Sequence, residues 1–325
     1  MSQLKAMMPD YKTRLKGAFL AGVKKGWGNF VWICKIIIPV SLLVALLQWS
    51  GWLYEADVVL KPLMGWLNLP SEAALPIISG MLINLYATMA AITVVPFTTG
   101  QMTLIAVFSL IAHNLIIEGI IQHRSGINAI TITLVRISAA ILTVLFVSQF
   151  IGDTSESVAG LAEITKDSPI TEALKEWALD TLILLAKVFG IIMFIMIILE
   201  SLTSLGWSEY LFNLSRPLMR LLGLSRRMAM LWVTAVVFGL MYGGAVIQDE
   251  VKRGDLTRTE LEHLHISIGI NHSMVEDPAL FMALGLNGFW LWIPKLVMAA
   301  AVVHIFSAFE YLWRRIRGPG SSGTT

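Results

Sequence analysis

The sequence predicts an all-α polytopic membrane protein built as two inverted repeats, with re-entrant or broken helices and amphipathic surface helices. Three observations carry that prediction. Hydrophobic residues make up 56% of the 325-residue chain and charged residues 14%, where a soluble domain is about 25% charged; mean hydropathy is +0.72. Apolar runs long enough for a membrane helix recur along the chain. The second half then repeats the order of polar landmarks found in the first.

The elements follow in order. Residues 1–27 read as an amphipathic interfacial helix, with Lys5, Lys12, Arg14, Lys16, Lys24 and Lys25 among apolar residues and Trp27 at its end. Such a helix lies on an anionic membrane face. No cleavable signal peptide is expected, because no apolar core precedes a small-residue site. Residues 28–150 form the first membrane repeat. Its first span, 30–49, carries Lys35; residues 51–70 are too broken for a crossing and suit a surface helix or half of a re-entrant hairpin. The apolar stretch 73–97 is interrupted by Pro76, Gly80, Asn84 and Pro96. Span 103–122 carries His113, Asn114 and Glu118, and span 126–150 carries Asn128 and Arg136.

Residues 151–180 are expected to form an acidic loop and a second amphipathic helix. The second membrane repeat, 181–317, restarts the pattern with Lys187 inside its first span and Lys295 inside its last. Residues 318–325 read as a flexible Gly/Ser/Thr tail. Cys34 is the one cysteine, so no disulfide framework or thiolate metal site is expected.

The repeat is read from four matches in the same order. Lys35 answers Lys187, and KPLMGWLNLP from Lys61 answers RPLMRLLGLS from Arg216. HNLIIEG answers INHSMVED, aligning His113 with Asn271, Asn114 with His272 and Glu118 with Glu276. The segment ending at Arg136 answers the one ending at Lys295, with Asn128 opposite Asn287. Charge selects inverted over parallel halves. Lys and Arg favour the cytoplasmic side; Arg216, Arg220, Arg226 and Arg227 mark the second copy of that segment, whereas the first has only Lys61. Six crossings, with both termini cytoplasmic in a bacterial inner membrane, follow from this reading.

The candidate site lies in residues 261–281. Steps of three, four and seven put Glu262, His265, Gly269, His272 and Glu276 on one helix face. Pro278 removes a backbone donor and turns Asp277 away from helical geometry. Ionisable groups at membrane depth face a cavity or a partner, and a helix broken at polar residues is a common way to build a transport site. The candidate substrate-binding set is therefore Asn271, His272, Glu276 and Asp277 from one half with His113, Asn114 and Glu118 from the other. Lys35, Lys187, Arg136 and Lys295 are expected as their charge partners.

These residues support a carrier of a small polar or anionic solute, with a proton or sodium ion as a coupling ion and no other cofactor. A divalent metal permease using His265, His272 and Glu276 is the alternative, since imidazole and carboxylate suit Zn, Mn or Fe. A non-transporting scaffold, with the polar groups locking helices together, is the third reading. No phosphate-binding glycine loop, nucleophile elbow or His-Glu-x-x-His spacing is present, so an enzyme is not expected. The expected partners are the lipid bilayer, the solute and a second copy of the chain as a homodimer, with no nucleic acid.

The stretch LKPLMGWLNLPSEAALPIISGMLINLYATMAAITVVPFTTGQM, with Asn84, Leu85, Tyr86, Ala87 and Pro96, resembles the nucleoside-recognition (Gate) domain of bacterial spore-maturation membrane proteins. FGLMYGGAVIQDE and NHSMVEDPALF look like a second copy. Related Gate segments occur in concentrative nucleoside transporters and in the membrane part of ferrous-iron transporters. The resemblance implies inverted repeats, re-entrant hairpins and a site near the membrane midplane. The Gly-Gln-Thr-Glu hairpin motif of the nucleoside transporters and the hairpin cysteine of the iron transporters are absent, so the resemblance does not carry their substrates.

Overall fold

The computed structural model describes residues 2–51, 57–152, 169–254 and 256–317. The core of the acidic stretch, 153–168, and the tail, 318–325, lie outside the described residues. Every regular element is helical among them.

The first half begins with α1 (Ser2–Ser50) and the short α2 (Asp57–Gly65). A 3-10 turn at Ser71–Ala73 leads into α3 (Ala74–Leu82) and α4 (Leu85–Ile92), followed by α5 (Thr99–Ala112), α6 (Leu115–Arg124) and α7 (Ala129–Val147). The second half repeats this list: α8 (Ile170–Ser204), α9 (Ser208–Leu221), a 3-10 turn at Arg226–Met228, α10 (Ala229–Phe238), α11 (Leu240–Arg253), α12 (Arg258–Asn271), α13 (Glu276–Met282) and α14 (Gly288–Arg317). Element for element, the two halves correspond.

The equivalent helices α1 and α8 pack along their length. Gly22 meets the backbone of Ile197, Phe30 meets Phe189 edge to face at 5.0 Å, and Ser41 meets Thr181 at 3.4 Å. As numbers rise along α1 they fall along α8, so the pair is antiparallel. The pair α7 and α14 behaves likewise, with Phe150, just past the end of α7, stacked on Trp290 at the start of α14. Equivalent helices that run oppositely make the halves inverted.

Small residues allow the α1–α8 approach. Ala18, Gly22 and Gly26 stand four apart and are buried, and a Cβ on Gly22 would lie 2.6 Å from the Cα of Ile197. A stripe of small residues lets backbones close on each other in a membrane. This stripe falls inside the stretch expected to lie on the membrane surface. The surface helix is not set off from the first span: α1 continues unbroken through Trp27 and is held against α8 from Ala18 onward. In the second half, the expected amphipathic helix likewise runs into the span as the single helix α8.

The helices α3 and α4 form a hairpin around Ile83 and Asn84. The hydroxyl of Thr88 on α4 donates to the carbonyl of Pro76 on α3 at 3.0 Å, and the Asn84 side chain caps α4 by accepting from the Ala87 amide. In the second half α10 and α11 turn at Gly239 (φ 87°), where an L side chain would be strained, and Gly243 of α11 lies against Ala235 of α10. The nine residues of α3 span only about 14 Å against a hydrocarbon core of about 30 Å. Each hairpin therefore enters and leaves on one side.

Caps repeat as well. Thr98 and Gln101 form a capping box at α5, matched by Thr257 and Glu260 at α12. Asn128 caps α7 through the Ile130 and Thr131 amides, and Asn287 accepts from the Phe289 amide at α14. The expected pairing of Asn128 with Asn287 is thus a pairing of two helix starts.

Among the described residues, five helical segments are long and apolar enough to cross a membrane: Tyr11–Ser50, Thr99–Arg124, Ala129–Val147, Ile170–Ser204 and Gly288–Trp313. The sixth expected crossing is the α12–α13 pair, which takes the place of α5–α6 but is too polar to qualify. Leu43, Leu134, Phe146, Leu182, Phe194 and Val297 are exposed on the outer faces, as side chains in contact with lipid are.

Candidate functional site

Two helices stop at matching points in the interior. The α5 helix ends at His113 and the chain turns through Asn114 (φ 49°) before α6. The α12 helix ends at His272 and turns through Ser273 (φ 50°) before α13. A non-glycine residue in the left-handed region is uncommon, and here it occurs at the same place in both halves. Each break leaves carbonyls at a helix C-terminus without intrahelical donors. Buried cations supply those donors. Arg136 on α7 donates from Nε to Ile111 O at 2.9 Å and from a terminal nitrogen to His113 O at 2.7 Å. Lys295 on α14 donates to His272 O at 3.4 Å.

The breaks face one another. His113 Nε2 and His272 Nε2 are 3.2 Å apart. Glu118 on the first turn of α6 pairs with Arg136 at 2.7 Å and approaches His272 Nε2 at 3.2 Å and His113 Nε2 at 3.4 Å. Asp277 on the first turn of α13 lies 3.6 Å from His113 Nε2. Both imidazoles are anchored from behind: His113 Nδ1 donates to Ser109 O at 2.8 Å and His272 Nδ1 to Ile268 O at 3.1 Å. Glu276 points elsewhere, accepting a 2.5 Å hydrogen bond from the hydroxyl of Tyr86 on α4.

The structure brings together His113, His272, Glu118, Asp277, Arg136 and Lys295 as expected, and corrects the alignment of the halves by one residue. His113 corresponds to His272, Asn114 to Ser273 and Glu118 to Asp277; the expected partners Asn271, His272 and Glu276 were each one position early. The helix break fixes the register, since the left-handed residue, the carbonyl-capping cation and the Nδ1 anchor all agree on it. Asn271 is fully buried beside His272, and neither its amide nitrogen nor its oxygen has a partner among the described residues; the Asn114 side-chain oxygen is in the same position.

Two expected charge partners lie elsewhere. Lys35 and Lys187 are exposed on the outer faces of α1 and α8; they sit within spans, but helix rotation turns them away from the interior. The alternative metal set is not assembled either. His265 and His272 share a helix face but stand two turns apart, about 11 Å along the axis, too far for one ion. His265 Nε2 is held by Ser125 O at 3.2 Å, with Gln122 donating to its carbonyl at 3.1 Å, and Glu276 is held by Tyr86.

Tyr86 and Gln122 are site-adjacent residues that pattern reading did not select. Tyr86 stood among the residues that carry the family resemblance, yet its partner is 190 positions away, and nothing local announces that contact.

A cavity of about 520 Å³ leads toward this cluster. Lys25 and Glu200 stand in ion-pair contact on its wall, and Thr203, Gly239, Ser273 and Glu276 also line it. The hairpin turn of α10–α11 and the second helix break therefore both border it.

The comparisons agree with this architecture. The nucleoside-recognition (Gate) family matches residues 30–153. A protein described as "Uncharacterized membrane protein YvoD" of Bacillus subtilis (strain 168) is 30% identical over 314 residues, covering 93% of this chain and 96% of its own length. The chain belongs to this Gate-domain membrane protein family. No solved structure matches it. The two kinds of similarity are complementary: the Gate match covers the first half, while YvoD extends through the second. With the apolar spans, this establishes a multi-pass membrane protein of a transporter-like family.

Proposed function

We propose that this Gate-family protein carries a small polar solute across the membrane by alternating access, with its site at the two facing helix breaks. The observation that carries the reading is one-sided access to that place. The cavity reaches Glu276 and Ser273 from the side where α1 begins and α8 ends. On the opposite side Trp177 and Thr181, which correspond to Lys25 and Asn29, meet Ser41 at 3.0 and 3.4 Å, and the hollow beside Gln48, Glu72 and Gln101 is only about 180 Å³. An inverted repeat with a wide cavity on one side and a narrow one on the other has the asymmetry that exchange of access requires.

The unpartnered amide of Asn271 and oxygens of Asn114 and Asp277 suit a solute with several hydrogen-bonding groups, such as a nucleoside-like molecule. Arg136 is already committed to backbone carbonyls and Glu118, which favours a neutral solute over an anionic one. The basic start of α1 supports a cavity that opens to the cytoplasmic side of a bacterial inner membrane.

The test uses Ser41→Cys with Thr181→Cys in a Cys34→Ala background, reconstituted in proteoliposomes. Flux of nucleosides, nucleobases, sugars and neutral amino acids is followed. Oxidising the pair is expected to lock the closed side and abolish flux of the carried solute, and reduction to restore it. Unchanged flux in the locked protein, or no flux of any solute in the reduced one, overturns the carrier reading.

A further inference from the structure

The geometry points to a binding site for one divalent transition-metal ion between the two helix breaks, with His113, His272 and Asp277 as ligands. The inference deepens the proposed function by assigning a ligand to the same place, but it stands on coordination geometry and does not require transport. Three features support it.

The first is the direction of the lone pairs. A carbonyl oxygen only accepts, so Ser109 O and Ile268 O require protons on His113 Nδ1 and His272 Nδ1. In neutral imidazole the other nitrogen is then an acceptor. Two Nε2 lone pairs consequently face each other at 3.2 Å, with carboxylate oxygens beside them. Nothing among these atoms donates unless a cation, proton or metal, sits between them. An imidazole held through Nδ1–H to a backbone carbonyl is also the usual support of a metal-bound histidine.

The second is spacing. His113 Nε2, His272 Nε2 and an Asp277 oxygen lie within 4.8 Å of one another. The nitrogens are 3.2 Å apart, and His113 is 3.6 Å from Asp277. Metal bonds of about 2.0–2.1 Å place neighbouring tetrahedral ligand atoms about 3.3 Å apart. A charge-assisted hydrogen bond would instead draw such atoms to about 2.7–2.9 Å. The two shorter edges match the spacing of ligands around an ion, and the His272–Asp277 edge closes to it by a small movement of the carboxylate.

The third is the surrounding shell. Asp277 Oδ2 accepts no hydrogen bond among the described residues. Glu118, oriented by Arg136, stands 3.2 and 3.4 Å from the two imidazoles, where it adds negative charge beside the ion. Two imidazoles and a carboxylate form a ligand set for Zn, Mn or Fe(II) and a poor one for Mg or Ca. Three protein ligands leave a coordination position open for water or solute.

The experiment is metal binding by the purified full-length protein in detergent after chelator treatment and dialysis. Zn²⁺, Mn²⁺ and Co²⁺ are titrated by calorimetry, with Mg²⁺ as comparison, and bound metal is counted per chain. One ion per chain is expected, with at least tenfold weaker binding in His113→Ala, His272→Ala and Asp277→Asn and no change in the control His263→Ala. Because buried histidine variants can misfold, the Co²⁺ absorption of the unaltered protein is a second measurement, and a nitrogen/oxygen ligand-field spectrum displaced by Zn²⁺ is expected. No stoichiometric metal, a Co²⁺ spectrum of the free hydrated ion, or equal binding in folded Asp277→Asn protein overturns the site. Solute flux in proteoliposomes is read separately, so a bound ion without flux removes the carrier reading and leaves the metal site standing.

Discussion

Arg136 shows what a single side chain has to do inside this protein. It is 1% exposed, donates to two carbonyls at the end of α5 and pairs with Glu118. Removing one member of a buried pair strands the other charge and costs about 3–5 kcal/mol. Arg136→Gln is therefore expected to lower the thermal unfolding midpoint strongly in detergent. The double variant with Glu118→Gln is expected to recover much of that loss, because no lone carboxylate remains. A double variant no more stable than the single one would show that the carbonyl caps, not the ion pair, set the cost. His113, His272, Glu118, Asp277, Arg136 and Lys295 were all legible from the sequence, because ionisable groups in apolar runs are rare and each must be matched. Their register was not. One residue separates Glu276 from Asp277, and only the backbone turn at Ser273 decides which of the two carboxylates enters the cluster. Lys35 and Lys187 obey the same rule of rarity, and nothing in their spans tells which way the helix is rotated.

At the scale of an element, α12 shows how a polar helix start is anchored outside the apolar layer. Glu260 closes the capping box with Thr257 and accepts from Arg227 Nε at 2.7 Å. Arg227 chiefly, with help from Thr257, holds the Glu260 carboxyl at about 2, below the ordinary value of about 4.3. A depressed folded value means that the stabilisation is fully present above the unfolded value and is lost as pH falls through about 2. Arg227 is half exposed, so the effect is modest and is screened by salt. The start of α12 is expected to lose amide-exchange protection as pH drops from ~5 toward ~2, and Glu260→Gln to show the weaker protection already at neutral pH. A variant with wild-type protection across that range would remove Glu260 as the anchor. The hairpins, the span order and the paired caps could be read from Pro, Gly and Asn interruptions. The continuity of α1 could not: Lys and Trp suggested a surface helix, while the small-residue stripe of Ala18, Gly22 and Gly26 indicates packing only once the partner helix is known.

At the scale of the whole molecule, the antiparallel α1–α8 pair places corresponding positions at opposite ends. Thr203 lines the open cavity, and Gln48 lies toward the far end of α1, beside a smaller hollow of about 180 Å³ with Glu72 and Gln101. In a Cys34→Ala background, Thr203→Cys and Glu72→Cys are expected to react with an impermeant maleimide from opposite faces of the membrane. Labelling of both from the same face would contradict inverted halves. Within each half, a buried cation ties the last span to the broken helix: Arg136 binds α7 to the end of α5, and Lys295 binds α14 to the end of α12. Across the halves the two breaks meet at 3.2 to 3.6 Å between histidines and carboxylates, and Tyr86 to Glu276 at 2.5 Å, Gln122 to the His265 carbonyl at 3.1 Å and the α1–α8 seam add further ties. Each cation caps the break of its own half, so a shift at the seam between the halves need not uncap either broken helix. Whatever sits between the imidazoles would be a rivet through that seam, held by both halves at once.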